Sequence, residues 1–130
     1  QGDGMTDTPA SYLRRPGAPP PGTELIRLDE LDEVDARGFI FGGGKERFEL
    51  FIVKKGDGLF GYVNECPHAF TPLDTMPDKF LTLDETQILC STHAALFRIE
   101  DGLCTSGPCT GKRLIPVPVA VKDGMVIISG

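Results

Sequence analysis

The chain has 130 residues, 40% of them hydrophobic, which is enough for one domain with its own core and too few for two ordinary ones. Its formal charge of −6 excludes a nucleic-acid binder, since neutralising phosphates needs a basic face, and no apolar run approaches a membrane span. Sixteen glycines and eleven prolines, with no long apolar pattern of helical period, predict short strands joined by many turns and hence an all-β fold.

Gln1 to Gly4 stand ahead of Met5 and read as a tag remnant. Thr6 to Gly22 is polar, with Pro16, Pro19, Pro20 and Pro21 close together, so residues 1–22 are expected to be that remnant and a flexible, unpacked arm. Residues 23–130 are expected to be a single domain. Glu24 to Leu28 is the first strand candidate, and the acidic stretch Asp29 to Asp35 reads as a short helix or turn on a solvated face. Phe39 to Phe41 and Arg47 to Lys54 read as strands, the second setting Phe48, Leu50 and Ile52 against Glu49, Phe51 and Val53. Between them, Gly42-Gly43-Gly44-Lys45 lacks the spacing and the following Ser/Thr of a phosphate loop and reads as a plain loop. Gly56-Asp57-Gly58 is a hairpin turn leading into the strand Leu59 to Asn64, which runs straight to Cys66. Further on, Leu96 to Glu100, Arg113 to Val121 and Met125 to Ser129 are strand candidates, with turn signals at Asp101-Gly102 and Asp123-Gly124. Pro116 and Pro118 cannot donate ladder hydrogen bonds, so their strand is expected to be an edge or to carry a bulge.

The chemistry lies in Cys66-Pro67-His68 and Cys90-Ser91-Thr92-His93, a C-x-H and a C-x-x-H separated by 21 residues. Each short spacing on a turn lets two side chains converge, and two such turns bring two soft thiolates and two imidazoles around a compact metal centre. A structural zinc ion could also take two cysteines and two histidines, although zinc sites of that composition usually pair like with like, as C-x-x-C and H-x-x-x-H.

The pattern resembles the Rieske iron-sulfur family, and the resemblance runs from about Leu59 to Ser129. Ala94-Ala95-Leu96-Phe97, Asp101-Gly102 and Ser106-Gly107-Pro108 stand where that family has a strand after the ligands, a hairpin and a covering proline loop. The resemblance implies a Rieske-type antiparallel β-sandwich, with a small cluster-binding subdomain at about 64–111 formed by two loops. It implies one 2Fe-2S cluster, with Cys66 and Cys90 on one iron and His68 and His93 on the other, the latter changing valence. Pro108 is expected to shield the cluster. Respiratory members have a disulfide between the ligand loops, at positions that are Thr71 and Thr92 here, and hydroxyls where this chain has Ala95 and Phe97. Losing hydrogen bonds to the cluster sulfurs lowers the potential, so a low-potential centre at roughly −150 mV is expected.

His68 and His93 are the only histidines, so none remains for the mononuclear iron of an oxygenase, and no membrane anchor is expected ahead of the domain. The resemblance therefore implies a soluble, cytoplasmic electron carrier rather than an enzyme, without catalytic residues, passing electrons from a flavin reductase to a terminal oxygenase or another acceptor. The alternative is a redox-sensing or regulatory small subunit of a larger oxidoreductase, similar to those of nitrite reductases. Residues 59–111 hold seven acids and two bases, a net of −5, which would steer a basic partner unless these are ordinary scattered surface acids. Thr71 to Thr86 reads as an extended loop, with Asp74, Pro77, Asp78, Asp84 and Glu85 exposed on it, serving either recognition or nothing beyond a tolerated insertion. Cys104 and Cys109 are expected to be small buried thiols, a local disulfide between them being possible.

Overall fold

The computed structural model describes residues 17–42, 48–65, 73, 80–82, 84–90 and 95–129. Among the described residues, nine strands fall into three antiparallel sheets of three. In chain order they are β1 (Glu24–Arg27), β2 (Val34–Phe41), β3 (Phe48–Lys55), β4 (Gly58–Val63), β5 (Gln87–Cys90), β6 (Ala95–Arg98), β7 (Cys104–Ser106), β8 (Val119–Lys122) and β9 (Met125–Ile128). The sheets are β1-β9-β8, β2-β3-β4 and β5-β6-β7. Among the described residues there is no α-helix, and none is long and apolar enough to cross a membrane.

Strand β3 divides the interior. Its side chains alternate in direction, and Leu50, Phe51, Ile52 and Val53 are all fully buried, which requires cover on both faces. Phe48, Leu50 and Ile52 join Val63, Val117, Val126 and Ile128 in one cluster, with Leu25 and Ile26 packed against it. Phe51 and Val53 join Phe80, Ile88, Phe97, Ile99 and Leu114 in the other. The β2-β3-β4 sheet is thus the middle layer, between the sheet of the two chain ends and the β5-β6-β7 sheet. Phe51 and Phe80 stack with ring centroids 4.4 Å apart and planes 9° from parallel, and the Tyr62 hydroxyl donates to the Ile99 carbonyl at 2.7 Å.

The turns form where expected. Gly56 adopts φ 59° in the two-residue turn that pairs Lys55 with Gly58, and Asp123-Gly124, with φ of 54° and 79°, turns β8 into β9. The acidic stretch is a 3-10 turn at Leu28–Glu30. Other expectations need correction. Strand β2 starts at Val34, five residues ahead of Phe39, because its full register with β3 runs from Val34↔Lys55 to Phe41↔Phe48. Strands β5 and β7 are additions to the expected set. Arg113 to Val121 is regular only from Val119, since the proline nitrogens cannot join a ladder. The stretch before it still pairs with β4: the Val63 N–H donates to Ile115 O and the Val117 N–H to Gly61 O, each at 2.8 Å, so Pro116 and Pro118 fall on positions that need not donate to β4. Gly17 to Gly22 is not an unpacked arm either. Ala18 packs on the β3 cluster, Pro19 is buried, and the Gly22 N–H donates to Ile128 O at 2.6 Å. Residues 1–16 lie outside the described residues.

Candidate metal centre

The C-x-H motif follows directly on the middle layer. Strand β4 ends at Val63 beside Leu50, and the Asn64 N–H donates to Glu49 O at 2.9 Å, carrying strand pairing one residue further. Asn64 is also the one buried polar side chain among the described residues. Its Oδ1 accepts the Leu73 N–H at 2.8 Å, so a single amide ties together the two ends of the segment containing Cys66 and His68. Leu73 is fully buried in the same cluster as Cys90 and Ala95. Cys66, His68 and Thr71, with the rest of the segment 66–72, lie outside the described residues.

The C-x-x-H motif starts inside the third sheet. Cys90 is the last residue of β5, fully buried, and stands opposite Ala95, the first residue of β6. Residues 91–94, which include Thr92 and His93, follow β5 and precede β6 in the chain and lie outside the described residues. Ala95 and Phe97 point inward with no exposure, so this part of the hairpin offers methyl and ring surface rather than hydroxyls. Gly107 lies directly on Ala95: a Cβ there would come within 2.8 Å of Ala95 Cα, and φ is 105°. Only glycine lets the Ser106-Gly107-Pro108 loop approach the hairpin so closely. Pro108 itself is exposed.

Of the extended segment 71–86, Thr71, Asp74, Pro77 and Asp78 are outside the described residues. The described part is anchored rather than loose. Phe80 is fully buried, the Leu89 N–H donates to Phe80 O at 2.7 Å, and Leu81 bridges Ile88. Asp84 and Glu85 are exposed on a tight turn, where the hydroxyls of Thr82 and then Thr86 donate to the Asp84 carboxylate and hold its pKa below the ordinary value.

The acidic lobe is less negative than its sequence count. Lys55 Nζ lies 3.1 Å from Glu100, and Asp101 is held by Arg98 and by Arg113 at 3.8 Å. Lys55 and Arg113 come from outside residues 59–111 and reduce its net −5 to −3. The Arg98 guanidinium, joined by the Leu103 N–H, holds the Asp101 carboxyl down to about 2. Burial, reinforced by Asp101 and Glu100, raises the Tyr62 phenol far above its usual range.

A family model for the Rieske [2Fe-2S] domain matches residues 24–122. The chain belongs to the Rieske family. The cofactor of that family is one Rieske-type 2Fe-2S cluster, and the described residues fit it: a buried cysteine at Cys90, the paired strands β5 and β6 on either side of residues 91–94, and an Asn64–Leu73 hydrogen bond at the ends of the segment that contains Cys66 and His68. The Rieske fold also appears in solved structures. The ferredoxin of carbazole 1,9a-dioxygenase from Nocardioides aromaticivorans IC177 is 24% identical, with a TM-score of 0.63 over 83% of this chain and 98% of that one. A Sphingomonas yanoikuyae B1 ferredoxin is 23% identical, with a TM-score of 0.60 over 82% of this chain and 96% of that one. In a reduced complex between oxygenase and ferredoxin in carbazole 1,9a-dioxygenase, the matched chain is 21% identical with a TM-score of 0.66, covering 81% of this chain and 27% of that one. No curated protein matches by sequence.

Proposed function

We propose that the protein is a one-electron carrier whose 2Fe-2S cluster is held by Cys66, His68, Cys90 and His93, with both thiolates on one iron and both imidazoles on the other. The observation that carries this reading is the spacing of the two motifs within a Rieske domain, together with the burial of Cys90 at the mouth of the β5–β6 hairpin. When bound, such a cluster supplies a reversible one-electron couple at its histidine-ligated iron. The chain's own part is to orient the ligand loops through Asn64 and the hairpin, and to keep water from the thiolate side with Ala95, Phe97 and Gly107.

Electrons come from a flavin reductase and pass to a terminal oxygenase. Support for this comes from the similarity to ferredoxins over nearly their whole length. The potential is low, roughly −150 mV, because the inward faces at Ala95 and Phe97 bring no hydroxyl to the cluster sulfurs. The net charge of −3 left on residues 59–111, with Asp84 and Glu85 exposed, supports docking to a basic partner. The compartment is the cytoplasm.

The test is to mix the holoprotein with a flavin reductase and NADH, then with an oxygenase, following the visible absorption. Bleaching by the reductase and recovery on adding the oxygenase are expected, with rates that fall as salt rises. A cluster that stays oxidised with every reductase but bleaches reversibly with mild cellular reductants would overturn the carrier role in favour of sensing.

A further inference from the structure

Cys104 and Cys109 are outside the proposed ligand set, yet they meet. Each is about 1% exposed, and Cys109 Sγ donates to Cys104 Sγ at 3.0 Å. Two unrelated core thiols have no reason to be so close. The backbone around them is already folded as a closed loop, since the Cys104 N–H donates to Lys112 O, the Gly111 N–H to Cys104 O and the Lys112 N–H to Cys109 O, at 2.8 to 3.0 Å. Between the two cysteines lie Thr105, Ser106, Gly107 and Pro108, all exposed, with Gly107 seated on Ala95. Both sulfurs belong to the core cluster beneath this short surface loop, and local opening of residues 105–108 is the route by which a reagent would reach them.

We propose that Cys104 and Cys109 are a redox modification site, oxidised by low-molecular-weight disulfides to an intraloop disulfide that fastens the 105–108 loop over Ala95. An S–S bond is about 2.05 Å long, so the sulfurs need to close by about 1 Å, which side-chain rotation supplies. One cysteine, losing its proton, attacks a sulfur of the small disulfide and expels one small thiol, leaving a mixed disulfide. The second cysteine, losing its proton, attacks the protein sulfur of that mixed disulfide and expels the other small thiol. The oxidant's S–S bond breaks and the protein's forms, and two electrons and two protons end on the two released thiols. The bridge does not rest on the electron-carrier reading, and its test does not depend on turnover.

The full-length holoprotein is equilibrated with oxidised glutathione, then denatured, alkylated and weighed intact, with the visible absorption recorded before denaturation. Four alkylations are expected before oxidation and two after, the unalkylated pair mapping to the peptide bearing Cys104 and Cys109. Cys109→Ser should abolish this loss of two alkylations. Amide exchange at Gly111 and Lys112 should slow about tenfold on oxidation. Four alkylations throughout, or a loss of two that persists in Cys109→Ser, would overturn the site. Unchanged exchange in a bridged protein would overturn the fastening of the loop. Absent visible absorption with a bridged Cys104–Cys109 pair would count against the cluster assignment and leave the modification site standing.

Discussion

At Asn64 one side chain performs a task the C-x-H spacing cannot perform alone. Its carboxamide oxygen satisfies the buried Leu73 N–H, closing the ligand segment against the core. Asn64→Ala removes that acceptor, and a stability loss of about 1–3 kcal/mol is expected in urea unfolding. Gly107→Ala meets both a positive φ and the Ala95 backbone, so a loss of about 1–3 kcal/mol is expected by the same measurement. The two candidate ligand motifs stand out in the sequence because metal chemistry dictates both residue type and short spacing, and of their four residues the structure describes Cys90. Asn64 was not, since an asparagine after a strand is an ordinary turn residue until the residue nine positions later is seen to need its oxygen. Nor did the sequence reveal that Lys55 and Arg113 neutralise Glu100 and Asp101, because those partners meet only through tertiary packing.

Strand β3 is the element on which the layers depend. Phe51→Ala removes the stack on Phe80 from the face that supports the β5–β6 hairpin, and should cost about 3–5 kcal/mol in the same unfolding measurement, whereas the exposed Ile40→Thr should change stability by about 0.5 kcal/mol or less. The period-2 pattern in Phe48 to Val53 was readable, with each set of side chains going to a different cluster. Its meaning, a strand buried on both faces, comes only from the packing, since Glu49 shares a face with Phe51 and Val53 in the sequence. Strands β5 and β7 escaped because three or four residues carry too little periodicity, and Gln87 and Cys104 to Ser106 are not strong strand formers. The start of β2 was hidden by Asp35, Arg37 and Gly38, half-buried residues of an edge strand on which Asp35 and Arg37 pair with each other. The opposite error, reading Arg113 to Val121 as continuous strand, came from apolar residues alternating with prolines. That alternation serves a looser pairing to β4, made possible by Gly61, whose missing Cβ would lie 2.5 Å from Val117 O.

For the molecule as a whole, folding depresses the Asp101 carboxyl from 3.8 to about 2. A depressed acid stabilises the fold fully above its unfolded pKa and loses that contribution as pH falls through the folded one, here between about 4 and 2. Solvent screening of this half-exposed pair limits the effect to about 1 kcal/mol, so Asp101→Asn should flatten the fall in melting temperature over that window while lowering stability at neutral pH. The central claim is that the layers hold one low-potential Rieske cluster. An EPR-monitored redox titration of the holoprotein tests it most directly: one spin per chain on reduction, in a single one-electron step near −150 mV, is expected. A midpoint above zero would contradict the low-potential assignment, and an EPR-silent reduced protein containing zinc in place of iron would contradict the cluster itself.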